Sequence, residues 1–186
     1  LVQTRLRQLE RSLNTSRHEL FRRYPIAYTL SIGRLRAGTW SAMVPDDLQC
    51  EGRVGVPIGM TSPDVRRQFD EAIADAAQRD PWLSEHPPRV EWYGGQFDAA
   101  EVDPDLPAFA SLRDAHREEF GVLPELDGAP YGSDMRLYIH EGEIPAILYG
   151  PGDIRQAHFT NESIAVTEIV QAARVVTAAV AHYLAA

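Results

Sequence analysis

An apolar run from Ile144 to Tyr149 ends abruptly at Gly150-Pro151-Gly152, and this break constrains the second half of the chain more than any other feature. The run has the length of a buried strand. Gly-Pro-Gly continues neither a strand nor a helix, and it frees the backbone to approach something closely. His158 follows six residues after Gly152, and Glu162 four residues after that. A strand that ends in a glycine turn and delivers a histidine is one way to build a site at a sheet edge, because neutral imidazole is the most frequent metal ligand. A plain surface loop carrying a histidine gives the same pattern, and the local residues leave both readings open.

Composition narrows the function classes. The 186 residues carry a net charge of −9, which argues against a general binder of nucleic acid or of an anionic membrane surface. All eighteen basic residues are arginine, so mechanisms that need a Schiff-base or P-loop lysine are excluded. The single cysteine, Cys50, allows neither an intramolecular disulfide nor a cysteine-rich zinc site, and its place on a predicted strand suggests a buried, inert thiol. Neither a signal peptide nor a transmembrane run is recognisable, so a cytoplasmic setting is the default expectation.

Along the chain, Val2, Leu6, Leu9 and Leu13 recur at helical spacing, with a stop at Asn14–Ser16. Alternation at Ile26, Tyr28, Leu30 and Ile32 predicts a strand, and Gly33 to Pro45 a loop. Leu48, Cys50, Gly52, Val54 and Val56 form one face of a second strand. Ser62-Pro63-Asp64 predicts a helix start with Ser62 as cap, followed by a stripe of Val65, Phe69, Ile73 and Ala76. Val90, Trp92 and Tyr93 suggest a further short strand. This order suggests a two-layer α+β sandwich over residues 1–95, which would need one more strand before Leu1 to be ferredoxin-like. The acidic stretch Gly94–Pro104 reads as a boundary. Beyond it, a helix capped by Gly121, strands at Leu137–Ile139 and 144–149, and a last helix from about Thr167 are expected.

The stretch GPGDIRQAH followed by Asn161-Glu162 resembles the C-terminal signature of the M20 family of zinc-dependent amidohydrolases and metallopeptidases, closest to the branch containing acetylornithine deacetylase and succinyl-diaminopimelate desuccinylase. The resemblance extends upstream through Pro130-Tyr131-Gly132-Ser133-Asp134 and Val44-Pro45-Asp46. It implies that residues 1–95 are most of a ferredoxin-like lid domain whose first strand is missing, and residues 96–186 the C-terminal α/β part of a catalytic domain. It also implies that His158 is a ligand of one of two zinc ions (cobalt being a possible substitute), and that Ser133, Asp134 and Arg136 line the substrate cleft. Arg136 could grip a substrate carboxylate with a bidentate fork, or simply pair with Asp134. Gly150 and Gly152 could offer main-chain N–H groups to an anionic substrate group. Glu162 could orient His158.

One histidine cannot hold zinc, and no His-x-Asp pair stands in the sequence. The remaining ligands and the glutamate base would lie upstream of the lid, so no catalytic residue is assigned here and this chain on its own is expected to be inactive. The lid departs from the family pattern: Ala42 stands where an asparagine is frequent and Gly55 where an arginine is expected, with Arg53 on the same strand face as a substitute.

The expected activity of the intact parent is hydrolysis of the amide bond of an N-acyl amino acid by zinc-activated water. A dipeptidase or carboxypeptidase of the same family is the nearer rival; a non-catalytic oligomerisation or binding module is the more distant one. A homodimer through the unpaired lid edge is expected.

Overall fold

The first helix, α1 (Val2–Leu13), is held by one face, and the computed structural model, which describes residues 1–185, shows what that face meets. Leu6, Leu9 and Leu13 pack with Leu30 of β1 (Leu30–Ala37) and Ile73 of α2 (Ser62–Gln78), with Phe69 and Val54 at the margin. Asn14 ends α1 and also fixes the approach to β1. Its Nδ2 donates to the carbonyls of Glu10 and Tyr28, each at 2.8 Å, while its Oδ1 accepts the N–H groups of Ala27 (2.7 Å) and Tyr28 (3.0 Å).

That use of the Ala27 and Tyr28 amides corrects the expected start of the first strand. The alternation at residues 26–32 is real, but the ladder begins at Leu30 and runs on through Ala37, into the stretch expected to be loop. β1 pairs antiparallel with β2 (Leu48–Val54), from Leu30 opposite Val54 to Ala37 opposite Leu48, with a bulge between Ile32 and Arg34. Cys50, opposite Leu35, is exposed rather than buried.

The cap of α2 lies one residue before the expected Ser62. Thr61 is the N-cap: its Oγ1 accepts from the Asp64 N–H (3.3 Å) and the Asp64 carboxylate accepts from the Thr61 N–H (3.2 Å), a reciprocal capping box. After α2, Asp80 caps a short helix, α3 (Pro81–Glu85). The strand expected at Val90–Tyr93 does not form. Pro87 and Pro88 precede it, and Trp92 is held by side-chain packing, edge-on against Phe69 at 5.2 Å, rather than by a ladder.

The chain divides into two compact units, residues 1–100 with 127–136, and residues 101–126 with 137–186. Within the first unit the returning segment is tied to the 3₁₀ turn Glu19–Phe21: the Gly128 N–H donates to the Leu20 carbonyl (2.9 Å), and Asp127 accepts from Tyr24 Oη (2.9 Å) and pairs with Arg23.

In the second unit α4 (Pro107–Phe120) packs on α6 (Val166–Ala185) through small residues, with Ala115, Val175 and Ala179 buried. Gly121 closes α4 in the left-handed conformation, φ 74°. Two further expectations fail. Residues 135–140 form a helix, α5 (Met135–His140), because six residues are too few for the apolar positions Met135, Leu137 and Ile139 to separate the two periods. Residues 144–149 form no strand and pair with none among the described residues; Pro145 also lacks the N–H a ladder would use. The described residues thus form an α+β chain of six α-helices and a two-stranded antiparallel sheet. No described helix is long and apolar enough to cross a membrane.

Candidate functional site

Tyr149, the last residue of the apolar run, anchors the loop after it. Its ring is part-buried against the Ala115 and Val175 cluster, and its hydroxyl lies 2.9 Å from His116 Nδ1 on α4. Burial, and then the nearby Glu119 carboxylate, push the Tyr149 phenol above its ordinary value of 10.0, so it is protonated at neutral pH. The neighbouring carboxylates of α4 are engaged with α6: Glu118 lies 3.6 Å from His182 Nε2, and Glu119 3.5 Å from Arg174.

From this anchor the chain enters Gly150-Pro151-Gly152. Gly150 is open: a Cβ there would meet nothing within 4 Å. Gly152 has φ +92°, a conformation suited to glycine, and its N–H donates to Glu168 Oε2 at 3.0 Å. The amide proposed for an anionic ligand therefore already holds a carboxylate, from the first turn of α6. Asp153 caps the short 3₁₀ turn Ile154–Gln156 and accepts from Arg155.

His158 is exposed and has φ +66°, one of two non-glycine residues in the left-handed region among the described residues. A histidine there is uncommon and carries a cost that its surroundings must offset. Glu162 supplies part of that offset: its Oε2 accepts the His158 main-chain N–H at 2.9 Å. The contact is to the backbone, so Glu162 fixes where the side chain leaves the chain without engaging the imidazole.

Ser133, Asp134 and Arg136 belong to the first unit, whereas Gly150, Gly152, His158 and Glu162 belong to the second. Ser133 and Arg136 are half-buried and Asp134 is exposed. The Arg136 guanidinium carbon lies 3.7 Å above the centre of the Phe97 ring, a close cation–π contact. Phe97 fell within the stretch read as a polar boundary, and nothing in its local pattern singles it out. Gly55 follows β2, its N–H donating to the Thr29 carbonyl at 2.9 Å. A Cβ at this position would stand 3.1 Å from the Tyr28 Cα, so a larger residue would have to displace backbone. Arg53 lies on β2 opposite Ser31 and is exposed.

A zinc centre takes four donors, or three and a water. Among the described residues no group of three or more histidine, cysteine, aspartate or glutamate side chains is disposed to hold a metal ion. His158 suits zinc by its chemistry, but one imidazole is not a site; the donor set does not close among the described residues.

The sequence profile of Peptidase family M20/M25/M40 matches residues 26–182. Among curated proteins, the N-formyl-4-amino-5-aminomethyl-2-methylpyrimidine deformylase of Bacillus subtilis is 24% identical over 160 residues, 82% of this chain and 37% of its own length. The deformylase of the same name from Halalkalibacterium halodurans is 29% identical over 116 residues, 58% of this chain and 27% of its own. A probable carboxypeptidase of Aspergillus clavatus is 31% identical over 152 residues, 77% of this chain and 28% of its own. The chain thus spans between about a quarter and two fifths of the length of these relatives.

Proposed function

Since the chain belongs to peptidase family M20/M25/M40, a family of hydrolases, we propose that it is part of a metal-dependent enzyme that cleaves the amide bond of an N-acyl amino acid. The observation that carries this reading is the presentation of His158: an exposed imidazole on a left-handed residue whose backbone is held by Glu162. In the proposal residues 1–95 are most of a lid domain and residues 96–186 the end of the catalytic domain. The lid is of ferredoxin-like plan and pairs two subunits, and the intact enzyme works in the cytoplasm with two zinc ions.

His158 provides one donor; the other ligands and the proton-transferring glutamate come from outside this chain. When bound, zinc supplies an acidified water and a polarised carbonyl. Arg136, stacked on Phe97, receives the substrate carboxylate through its N–H edge, and Ser133 and Asp134 line the same segment. Gly150 has the open main-chain position to meet an anionic group, whereas Gly152 does so only by giving up Glu168.

The relatives favour one second reading. A probable carboxypeptidase matches over 77% of the chain, and a peptide C-terminus offers Arg136 the same carboxylate. The deformylases' named substrate, an aminomethylpyrimidine amide, has no carboxylate. The test is turnover by the complete protein of three substrates: an N-acyl amino acid, a dipeptide, and an N-formyl amine without a carboxylate. Preference for the first supports the proposal. Preference for the dipeptide transfers the reading to a peptidase, and preference for the formyl amine removes the carboxylate role of Arg136. Absence of turnover, with no metal bound, would mean a binding or oligomerisation module.

A further inference from the structure

Phe97 is held from three sides. Its neighbour Asp98 accepts both the main-chain N–H and the hydroxyl of Ser62 at the start of α2, each at 2.5 Å. A Cβ at Gly95 would lie 2.3 Å from Phe97 Cζ, so the ring sits directly over Gly95. On the returning segment, a Cβ at Gly132 would lie 3.5 Å from Phe97 Cδ2, ordinary contact distance. Phe97 is nevertheless 44% exposed, so Arg136 does not cover it completely. The Arg136 guanidinium stacks at 3.7 Å, nearer than the contacts of Arg23 on Tyr24 (5.0 Å) or Arg66 on Trp92 (5.6 Å).

Stacking uses one flat face of a guanidinium and leaves its in-plane N–H edge free, the edge that grips a carboxylate bidentately. It also confines a side chain that would otherwise sample many rotamers. We infer that Phe97 is a positioning residue for substrate: it holds the Arg136 guanidinium in one plane, and thereby sets the enzyme's preference for ligands that carry a carboxylate. This rests on the proposed carboxylate role of Arg136. Asp98 serves the same end by tying the segment that carries the ring to α2, so specificity is built partly from a stretch with no polar contact to substrate.

The experiment compares Phe97→Ala, Phe97→Trp and Arg136→Gln with the wild type in the complete enzyme. Each is assayed on an N-acyl amino acid and on its carboxamide, with binding of both measured by calorimetry so that the result does not depend on turnover. The expected result is a roughly five-fold weaker KM and Kd for the acid in Phe97→Ala, the size of a partly exposed cation–π contact. The carboxamide values and kcat stay within about two-fold of wild type, and Phe97→Trp restores the acid, since tryptophan offers the better cation–π face. Equal losses for acid and carboxamide would overturn the inference, because a merely structural role of Phe97 gives that result. If Arg136→Gln abolishes the preference for the acid and Phe97→Ala leaves it intact, the inference falls while the carboxylate role of Arg136 stands. If Arg136→Gln leaves the preference unchanged, both fall.

Discussion

Glu10, on α1, accepts the main-chain N–H of Leu30 at 2.7 Å, and this bond joins the first helix to the first residue of the sheet. Glu10 is 4% exposed, and its second oxygen takes the Arg7 guanidinium at 2.8 Å. The Leu30 amide opens β1 from within the core, so without Glu10 a buried donor would lose its partner. Replacing Glu10 by alanine is expected to cost roughly 2–4 kcal/mol of unfolding free energy, the combined loss of a charge-assisted bond and an orphaned N–H. Glutamine keeps the acceptor and should cost about 1 kcal/mol. Urea denaturation of the two variants checks this; a loss under ~0.5 kcal/mol for Glu10→Ala would show that water replaces the carboxylate.

Gly52 stands opposite Ile32, beside the bulge in β1. A Cβ added there would lie 2.2 Å from the Ser31 carbonyl oxygen, a backbone atom that cannot turn aside. Gly52→Ala should therefore destabilise by about 1–3 kcal/mol through displacement of the hairpin. At Gly33, on the bulge itself, a Cβ meets nothing within 4 Å, and Gly33→Ala should be neutral or stabilising by up to ~1 kcal/mol. Thermal melts of both proteins give the contrast, and equal effects would contradict the register of the hairpin.

The hairpin also carries a pH-dependent tie. Glu51 accepts from Arg34 at 3.0 Å and from the Tyr93 hydroxyl at 3.0 Å. Its hydrogen bonds, to Arg34 first and then to Tyr93, hold its carboxyl below the ordinary 4.5. A carboxyl lowered in the fold adds stability that is fully present above its unfolded value and is lost as pH falls through the folded one. The same pair raises the Tyr93 phenol above 10.0, chiefly through its bond to Glu51, so that contribution is present below pH 10 and disappears at more alkaline pH. Glu51→Gln should accordingly lower the melting temperature at pH 7 and approach wild type as the pH falls below the ordinary 4.5, while the Tyr93 titration moves back toward 10.0. A melting difference that does not change between neutral and acid pH would argue against this origin.

Much of the fold was legible where one residue performs one local task. Asn14 stops α1, Gly121 closes α4, and the stripe of α2 packs where its spacing says. Strand boundaries were less legible because they depend on where amides are used: Asn14 consumes those of Ala27 and Tyr28, which moves the strand start to Leu30. Residues 144–149 carry a strand-like pattern, yet a strand needs a partner, which the pattern does not encode. In the candidate site, His158 and Glu162 stood out by their motif. Glu168 and Phe97 did not, because each acts on a residue distant in sequence, Gly152 and Arg136 respectively.

The left-handed backbone of His158 separates two roles that alanine substitution would confuse. With φ +66°, alanine at this position would both remove the imidazole and add backbone strain. Asparagine tolerates the left-handed region, so His158→Asn keeps the loop and removes only the ring. In the complete protein His158→Asn is expected to lose about one metal equivalent per chain with little change in melting temperature of the metal-free form. Glu162→Ala keeps the ring but releases the His158 main-chain N–H, and should weaken metal binding by up to about 10-fold, less than loss of a partner on the ring itself. Glutamine at 162 retains an acceptor oxygen and should recover most of that loss. Metal content by elemental analysis and affinity by chelator competition provide the readouts. Unchanged metal content in His158→Asn would remove His158 from the proposed donor set, and with it the basis for reading this loop as part of a metal centre.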